Sequence, residues 1–490
     1  MTRLAALTLA ALLPACAAAE KRVCAVAGAF YPGEPGALKQ TVSAYLAKAP
    51  EPPKLPGPVV GLLVPHAGYA YSAPTAAQAY KAVSGAYDTV VVIGAAHTAR
   101  VAAAALYDGE AFESPLGDVP LERNLIALLL KNKALFEDLP KAHLREHSIE
   151  VQLPFLLSRL EPGFKLVPIA MNTEDPSVAE KVGRTLGAAL KEKKALLVVS
   201  SDLSHYPTGA LARKVDRTSL LALERLDPGY FWLTNRVLMA RREKDLDCTY
   251  CGEASLLAGM AAAKALGADR GVLLGYTNSA ETPLGEPGRA VGYAAMAFVR
   301  SGRPASSEIR LSGAQKKALL SLVRETIALG LDGKRAPSAL SEDPVLNLPS
   351  AVFVTLTENG RLRGCIGTTE ARGTLKDAVA YGAYSAAFED HRFKPVTREE
   401  LPKLHVEVSL LSPAAPVSGH EAVVPKTHGV ILSQGGHAGL FLPQVWEQIP
   451  RKEEFLGELC SQKAGLPSDC WKDPKTKIQV FTVSAFEEPK

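Results

Sequence analysis

The sequence predicts a mostly parallel α/β sheet with flanking helices, followed by a smaller α+β domain. Two patterns carry the first part of that reading. Short β-branched apolar runs alternate with helix-period segments as far as Ala195–Val199, the arrangement that builds a parallel sheet with helices on both faces. Three of these runs, Val59–Val64, Thr89–Ile93 and Ala195–Val199, each lead at the carboxyl end to side chains suited to chemistry: His66, His97, and Asp202 with His205. In open α/β sheets, ligand chemistry sits at those ends. The second part rests on a hairpin signal, in which Ala351–Leu356 passes through Glu358, Asn359 and Gly360 into Arg361–Gly367.

In chain order, Arg3, the apolar Leu4–Leu13 and the small residues Ala15–Ala19 have the layout of a secretory signal peptide over residues 1–19. The apolar run is too short to span a bilayer. Two processing routes are open. One is cleavage before Glu20. The other is lipidation of Cys16, since Leu13–Cys16 resembles a bacterial lipoprotein box. The expected location is the periplasm, or the envelope as a lipoprotein, with membrane contact only through a lipid on Cys16. A formal net charge of +4 gives no reason to invoke nucleic acid. The length allows about two to three domains. The Pro- and Ser-containing stretch 302–310 is the expected linker between domains at 23–301 and 311–490.

Export makes the seven cysteines informative, because oxidation becomes possible. Cys16 falls in the leader, and Cys251 and Cys365 fall inside motifs. The remaining four suggest Cys24–Cys248 and Cys460–Cys470 disulfides, although four cysteines permit three connectivities.

Val59–Val64 is bounded by Pro58 and Pro65 and reads as a buried strand. Ala37–Lys48 and Ser72–Ser84 have helical spacing. The alternation continues through Leu121–Leu130, Val151–Leu160, Phe164–Ala170 and Val178–Lys191. Glu146–Glu150 opens the segment carrying Gln152. His147 and Glu150 share a helix face if the helix has begun by then, and could orient a ligand or hold a polar group of a substrate. A capped helix start with a surface pair is the plainer alternative. Cys248 and Cys251 form a Cys-x-x-Cys before a helix at about Ala254–Leu266. A helix N-terminus favours the thiolate. The pair fits a thioredoxin-like redox motif or half a zinc site. Joining Cys251 to His66 and His97 gives instead a three-ligand site with an open position, suited to iron, copper or zinc.

Residues from about Val23 to Val299 resemble the Memo family, through Ala27–Pro32, Pro65–Tyr69, Gly94–Thr98, Glu146–Pro154, Ser200–His205 and Cys251–Gly252. The resemblance implies a fold similar to class III extradiol dioxygenases, which are non-haem iron enzymes. It implies His66, His97 and Cys251 as metal ligands, with Asp202 and His205 in the same pocket. Those dioxygenases use a carboxylate as third ligand; a thiolate softens the site and favours copper. His205 is the expected general acid–base, held in orientation by Asp202.

In the second domain, Gly313–Ala328 and Thr374–Phe388 read as helices. Leu404–Leu411 reads as a strand, and Gly429–Ser433 with Gly439–Leu442 as a second hairpin. Leu362–Gly367 reads first as a strand with close backbone approach and a buried Cys365. The alternative is a thiol activated by Arg363. From about Leu311 to Phe486 the chain resembles the AMMECR family, through Arg363–Gly367, Ala387–Asp390 with Arg392 and Phe393, Val406–Ser409, and Phe441–Trp446. That resemblance names the domain without naming a reaction. Arg363, Cys365 and Glu389 are its candidate polar positions. Both families belong to the AmmeMemoRadiSam system, so the fusion implies one shared small-molecule or peptide substrate and a functional link to a radical SAM protein. The leading expectation is an envelope metal-dependent oxidoreductase. The alternative is a non-catalytic copper- or peptide-binding scaffold.

Overall fold

The computed structural model describes residues 20–303 and 308–489. The expected signal peptide and Cys16 lie outside the described residues, as does the middle of the expected linker. By internal contacts the chain forms two compact units. One comprises the described residues to Pro52, Val60–Ser201 and Gly252–Leu266. The other comprises Pro53–Val59, Asp202–Cys251 and the described residues from Gly267 onward.

The first unit is built on strands in the order Phe136–Asp138, Ala104–Leu106, Lys165–Met171, Thr89–Ala95, Ala195–Ser200, Val59–Val64. The last four run parallel. Thr89–Ala95 is buried along its whole length, as befits a strand covered on both faces. Helices Pro35–Lys48, Tyr69–Lys81, Arg123–Leu130, Leu153–Arg159, Pro176–Leu190 and Glu253–Ala265 belong to the unit. Their starts follow from local chemistry. The Glu34 carboxylate accepts the Gly36 and Ala37 amides, and Asp175 caps a helix whose first residue is Pro176. Gly94 lets the Thr89–Ala95 strand approach the Glu146–Glu150 loop. A β-carbon at Gly94 would sit 2.4 Å from Ser148 Oγ.

The second unit holds an antiparallel pair, Arg270–Asn278 with Gly292–Val299, and helices Gly209–Glu224 and Pro228–Ala240. Its C-terminal part has two antiparallel four-stranded sheets. One runs Arg361–Gly367, Ala351–Glu358, Leu404–Leu411, Val483–Glu487. The other runs Ala415–Pro416, Lys477–Phe481, Gly429–Gln434, His437–Phe441. The first of these packs its Val352, Val354, Val406 and Val408 against Leu319, Val323 and Val379 of helices Gly313–Leu331 and Leu375–Phe388. The expected turn is present, with Asn359 and Gly360 at φ 51° and 76°, as a two-residue hairpin requires. Within this unit the Tyr230 hydroxyl donates to the Pro349 carbonyl at 3.0 Å. Arg241 binds Asp377 and the Ser338 carbonyl. Among the described residues no helix is long and apolar enough to cross a membrane.

Cys460–Cys470 forms as expected, with Cα atoms 6.0 Å apart. The Cys24–Cys248 pairing does not form. Both thiols are free. The Cys24 thiol donates to the Glu113 carbonyl at 3.3 Å, and burial followed by the charges of Asp247 and Asp216 pushes Cys248 up to about 12. A thiol so far from ionisation is a poor redox partner.

Asp216 is fully buried in the second unit. It accepts the Ser204 amide at 3.0 Å and the Tyr276 hydroxyl at 2.9 Å. Burial outweighs these hydrogen bonds and raises its carboxyl to about 7. The folded state therefore retains a proton that the unfolded chain releases near pH 4. This contribution to stability is complete below the unfolded value and is lost as pH rises through about 7. Asp216→Asn is expected to flatten this dependence and raise stability at pH 8. Urea titrations across pH 4–8 test it; parallel pH profiles for the two proteins would contradict it.

Candidate metal centre

The site is assembled by strand ends meeting one loop. His66 follows the Val59–Val64 strand, His97 follows Thr89–Ala95, and His147 lies in the loop before the 3-10 turn Glu150–Gln152. Each offers a ring nitrogen, and the three ligand atoms lie within 4.8 Å of one another. Ring centroids are 5.2 Å apart for His66–His97, 5.3 Å for His66–His147 and 4.7 Å for His97–His147. His66 is buried, His147 half-buried and His97 exposed. The cluster thus runs from a buried ring at His66 to an exposed one at His97.

Oxygen atoms brace the rings from behind. His66 Nδ1 meets Ser200 Oγ at 3.1 Å. His97 Nδ1 meets Glu146 Oε1 at 2.9 Å, and the His97 backbone amide donates to Glu146 Oε2 at 2.6 Å. Glu146 also accepts the His147 and Ser148 amides, both at 2.9 Å. Burial opposes its ionisation, but the His97 hydrogen bond and charge, the Ser148 amide and His147 together pull its carboxyl to about 2. Burial also lowers the His147 imidazole, against the pull of Glu146. Metal-ligating histidines commonly carry such partners on the second nitrogen, so the donor set fits a metal ion.

His147 and Glu150 do not share a face. The α-helix begins only at Leu153; His147 faces the other imidazoles, and Glu150 faces away. Glu150 is fully buried and ion-paired with the equally buried Arg22. It also accepts the Tyr31 hydroxyl at 2.5 Å and the Ala25 and Val26 amides at 2.8 and 3.0 Å. Arg22 in turn binds the His143 and Glu146 carbonyls. Glu150 is thus an anchor for the loop carrying Glu146 and His147.

In the second unit the Asp202 amide donates to Cys251 Sγ at 3.3 Å. His205 Nδ1 donates to the Leu203 carbonyl at 2.8 Å. A backbone carbonyl therefore holds the His205 Nδ1–H and leaves Nε2 as its basic nitrogen. Arg363 is paired with a carboxylate. Its guanidinium grips Glu400 at 2.9 and 3.1 Å and holds that carboxyl at about 2. Cys365 Sγ accepts the Thr355 hydroxyl at 3.3 Å, and the Cys365 amide donates to Asp390, which Arg392 clamps. Glu389 accepts the Ser385 hydroxyl at 2.6 Å.

The family model for Memo-like proteins matches residues 22–297, and a MEMO1 family protein of Aquifex aeolicus is 37% identical over 275 residues, covering 56% of this chain and 98% of that protein. The chain belongs to the Memo family. A MEMO1 family protein of Methanopyrus kandleri is 34% identical over 287 residues, covering 56% of this chain and 98% of its own. The family model named AMMECR1 matches residues 320–486, so this Memo protein is a fusion with an AMMECR1 domain. An uncharacterized protein of Pyrococcus horikoshii with a solved structure is 38% identical, covering 35% of this chain and 91% of that one, at a TM-score of 0.33. Glu146, Gln152 and Ser200 lie inside Memo motifs already legible in the sequence. Their role as braces was not, because spacing along the chain does not show which ring nitrogen an oxygen will meet.

Proposed function

We propose that this Memo-family protein is a metal-dependent redox protein of the cell envelope that holds iron or copper at His66 and His97. The observation that carries the proposal is the cluster of three imidazoles at strand ends, two of them braced through Nδ1 by oxygen. The Memo resemblance adds Cys251 as the thiolate ligand; His147 is the other candidate for third ligand. Iron or copper held by these residues would supply Lewis acidity and one-electron chemistry. A class III extradiol dioxygenase-like ancestry fits the parallel strands and the strand-end histidines, while a thiolate sets the chemistry apart from ring cleavage. His205, with its Nδ1–H fixed on the Leu203 carbonyl, is suited to accept a substrate proton at Nε2. The fused AMMECR1 domain is read as acting on the same small-molecule or peptide substrate, in functional connection with a radical SAM protein.

The test is anaerobic titration of the mature protein with Fe(II) and Cu(I), beside Cys251→Ala, His147→Ala and His205→Ala. Loss of affinity and of the sulfur-to-metal absorption in Cys251→Ala, with His205→Ala unaffected, is the expected result. Loss confined to His147→Ala would replace the thiolate with a third imidazole. Metal loss in His205→Ala would contradict its acid–base role. Absence of metal uptake by the unaltered protein would favour a peptide-binding scaffold.

A further inference from the structure

The hydrogen-bond arithmetic behind the two buttressed histidines fixes which nitrogen of each ring carries the proton. Ser200 Oγ has one proton and two lone pairs. It donates the proton to the Ser148 carbonyl at 2.6 Å, and a carbonyl can only accept. Gln152 Nε2 donates into one lone pair at 2.9 Å and to the Pro65 carbonyl at 3.0 Å. Reversing that amide would set its oxygen against the Pro65 carbonyl oxygen and break the bond from the Tyr80 hydroxyl, which donates to Gln152 Oε1 at 2.9 Å. The chain of bonds therefore has one polarity. Tyr80, Gln152, Ser148 and Ser200 are all buried, so water does not readily substitute for any member. The only role left for Ser200 Oγ toward His66 Nδ1 is acceptor, and that nitrogen must be the N–H. The same conclusion holds at His97 for a different reason. Glu146 is an acceptor-only carboxylate, already oriented by three backbone amides, so His97 Nδ1 is the donor there too.

We propose that Ser200 and Glu146 are positioning residues that hold His66 and His97 as Nδ1–H tautomers, making Nε2 the acceptor nitrogen of both rings before any metal arrives. Two braces of unlike chemistry set the same tautomer, one a neutral hydroxyl locked by a carbonyl and an amide, the other an anion. In a free histidine side chain the alternative Nε2–H tautomer predominates modestly, so each brace has to act against an intrinsic preference. Its consequence for metal affinity rests on the proposed metal reading; the tautomer assignment itself does not.

The test uses the full mature chain, metal-free, with 15N-labelled histidine. Long-range proton–nitrogen correlation at a pH above the imidazole titration reads the tautomer of each ring. His66→Gln and His97→Gln spectra assign the signals. Both rings are expected as Nδ1–H. Ser200→Ala should release His66 alone to a mixture, Ser200→Thr should restore it, and Glu146→Gln should release His97 alone. Fe(II) or Cu(I) affinity should fall about 10–100-fold in Ser200→Ala and Glu146→Gln. Either ring found as Nε2–H in the unaltered protein would overturn the proposal, as would unchanged tautomers in both variants. The expected tautomers in a protein that takes up neither metal would uphold the proposal while removing the metal reading. The measurement on the unaltered protein decides the assignment even if a variant does not fold.

Discussion

Arg22→Ala is expected to destabilise the protein by about 3–5 kcal/mol, the usual cost of breaking a buried ion pair from one side. Arg22 and Glu150 have no solvent exposure. Removing the guanidinium would leave the Glu150 charge without its counter-ion and would take a donor from the His143 and Glu146 carbonyls, of which His143 keeps the Glu146 amide. The damage should reach the histidines, because the Glu146 backbone is held by Arg22 while its side chain holds His97. Urea denaturation reads the stability, and histidine correlation spectra read the site. Arg22→Met combined with Glu150→Gln should recover part of the loss, since no unpaired charge remains. A loss for Arg22→Ala below about 1 kcal/mol would show that Glu150 finds other compensation.

The second large effect is expected in the C-terminal sheet region. Cys460 and Cys470 close a loop with a sequence separation of 10 inside a core containing Trp446, Phe455 and Phe441. Trp446 and Phe455 stack with centroids 3.6 Å apart. Cys460→Ala with Cys470→Ala should cost about 2–3 kcal/mol, because the unfolded chain regains the freedom of that loop. Thermal unfolding followed by tryptophan fluorescence should show the shift, and reduction of the unaltered protein should reproduce it. Identical melting of the oxidised, reduced and substituted proteins would contradict the assignment.

Much of the architecture was legible because its signals are local. Val59–Val64 and Leu404–Leu411 occur with the boundaries expected from their β-branched patterns, and the Asn359–Gly360 turn follows from residue type. Helices Gly209–Glu224 and Pro228–Ala240 went unread although their caps were present. Thr208 accepts the Leu211 amide, and Asp227 caps a helix that begins with Pro228. The antiparallel pair Arg270–Asn278 and Gly292–Val299 was also missed, since a search for strand–helix–strand alternation does not find two strands in succession.

At the site, His66 and His97 were readable because each follows an apolar strand. The divergence of His147 and Glu150 was not, because it depends on the loop and the 3-10 turn Glu150–Gln152 that precede the α-helix at Leu153. Arg22 gave no signal at all. An isolated arginine near a chain start reads as surface, and only the folded loop shows that it is buried against Glu150. The partner of Arg363 was equally illegible, because nothing near Cys365 in the sequence shows that Glu400, far along the chain, binds the guanidinium.

Metal content and binding of the mature protein, measured beside His66→Ala/His97→Ala with circular dichroism to verify folding of both, decide whether His66 and His97 hold a metal. The expected result is about one iron or copper per chain in the unaltered protein and near-complete loss in the folded double variant. Equal metal content in the two folded proteins would contradict it.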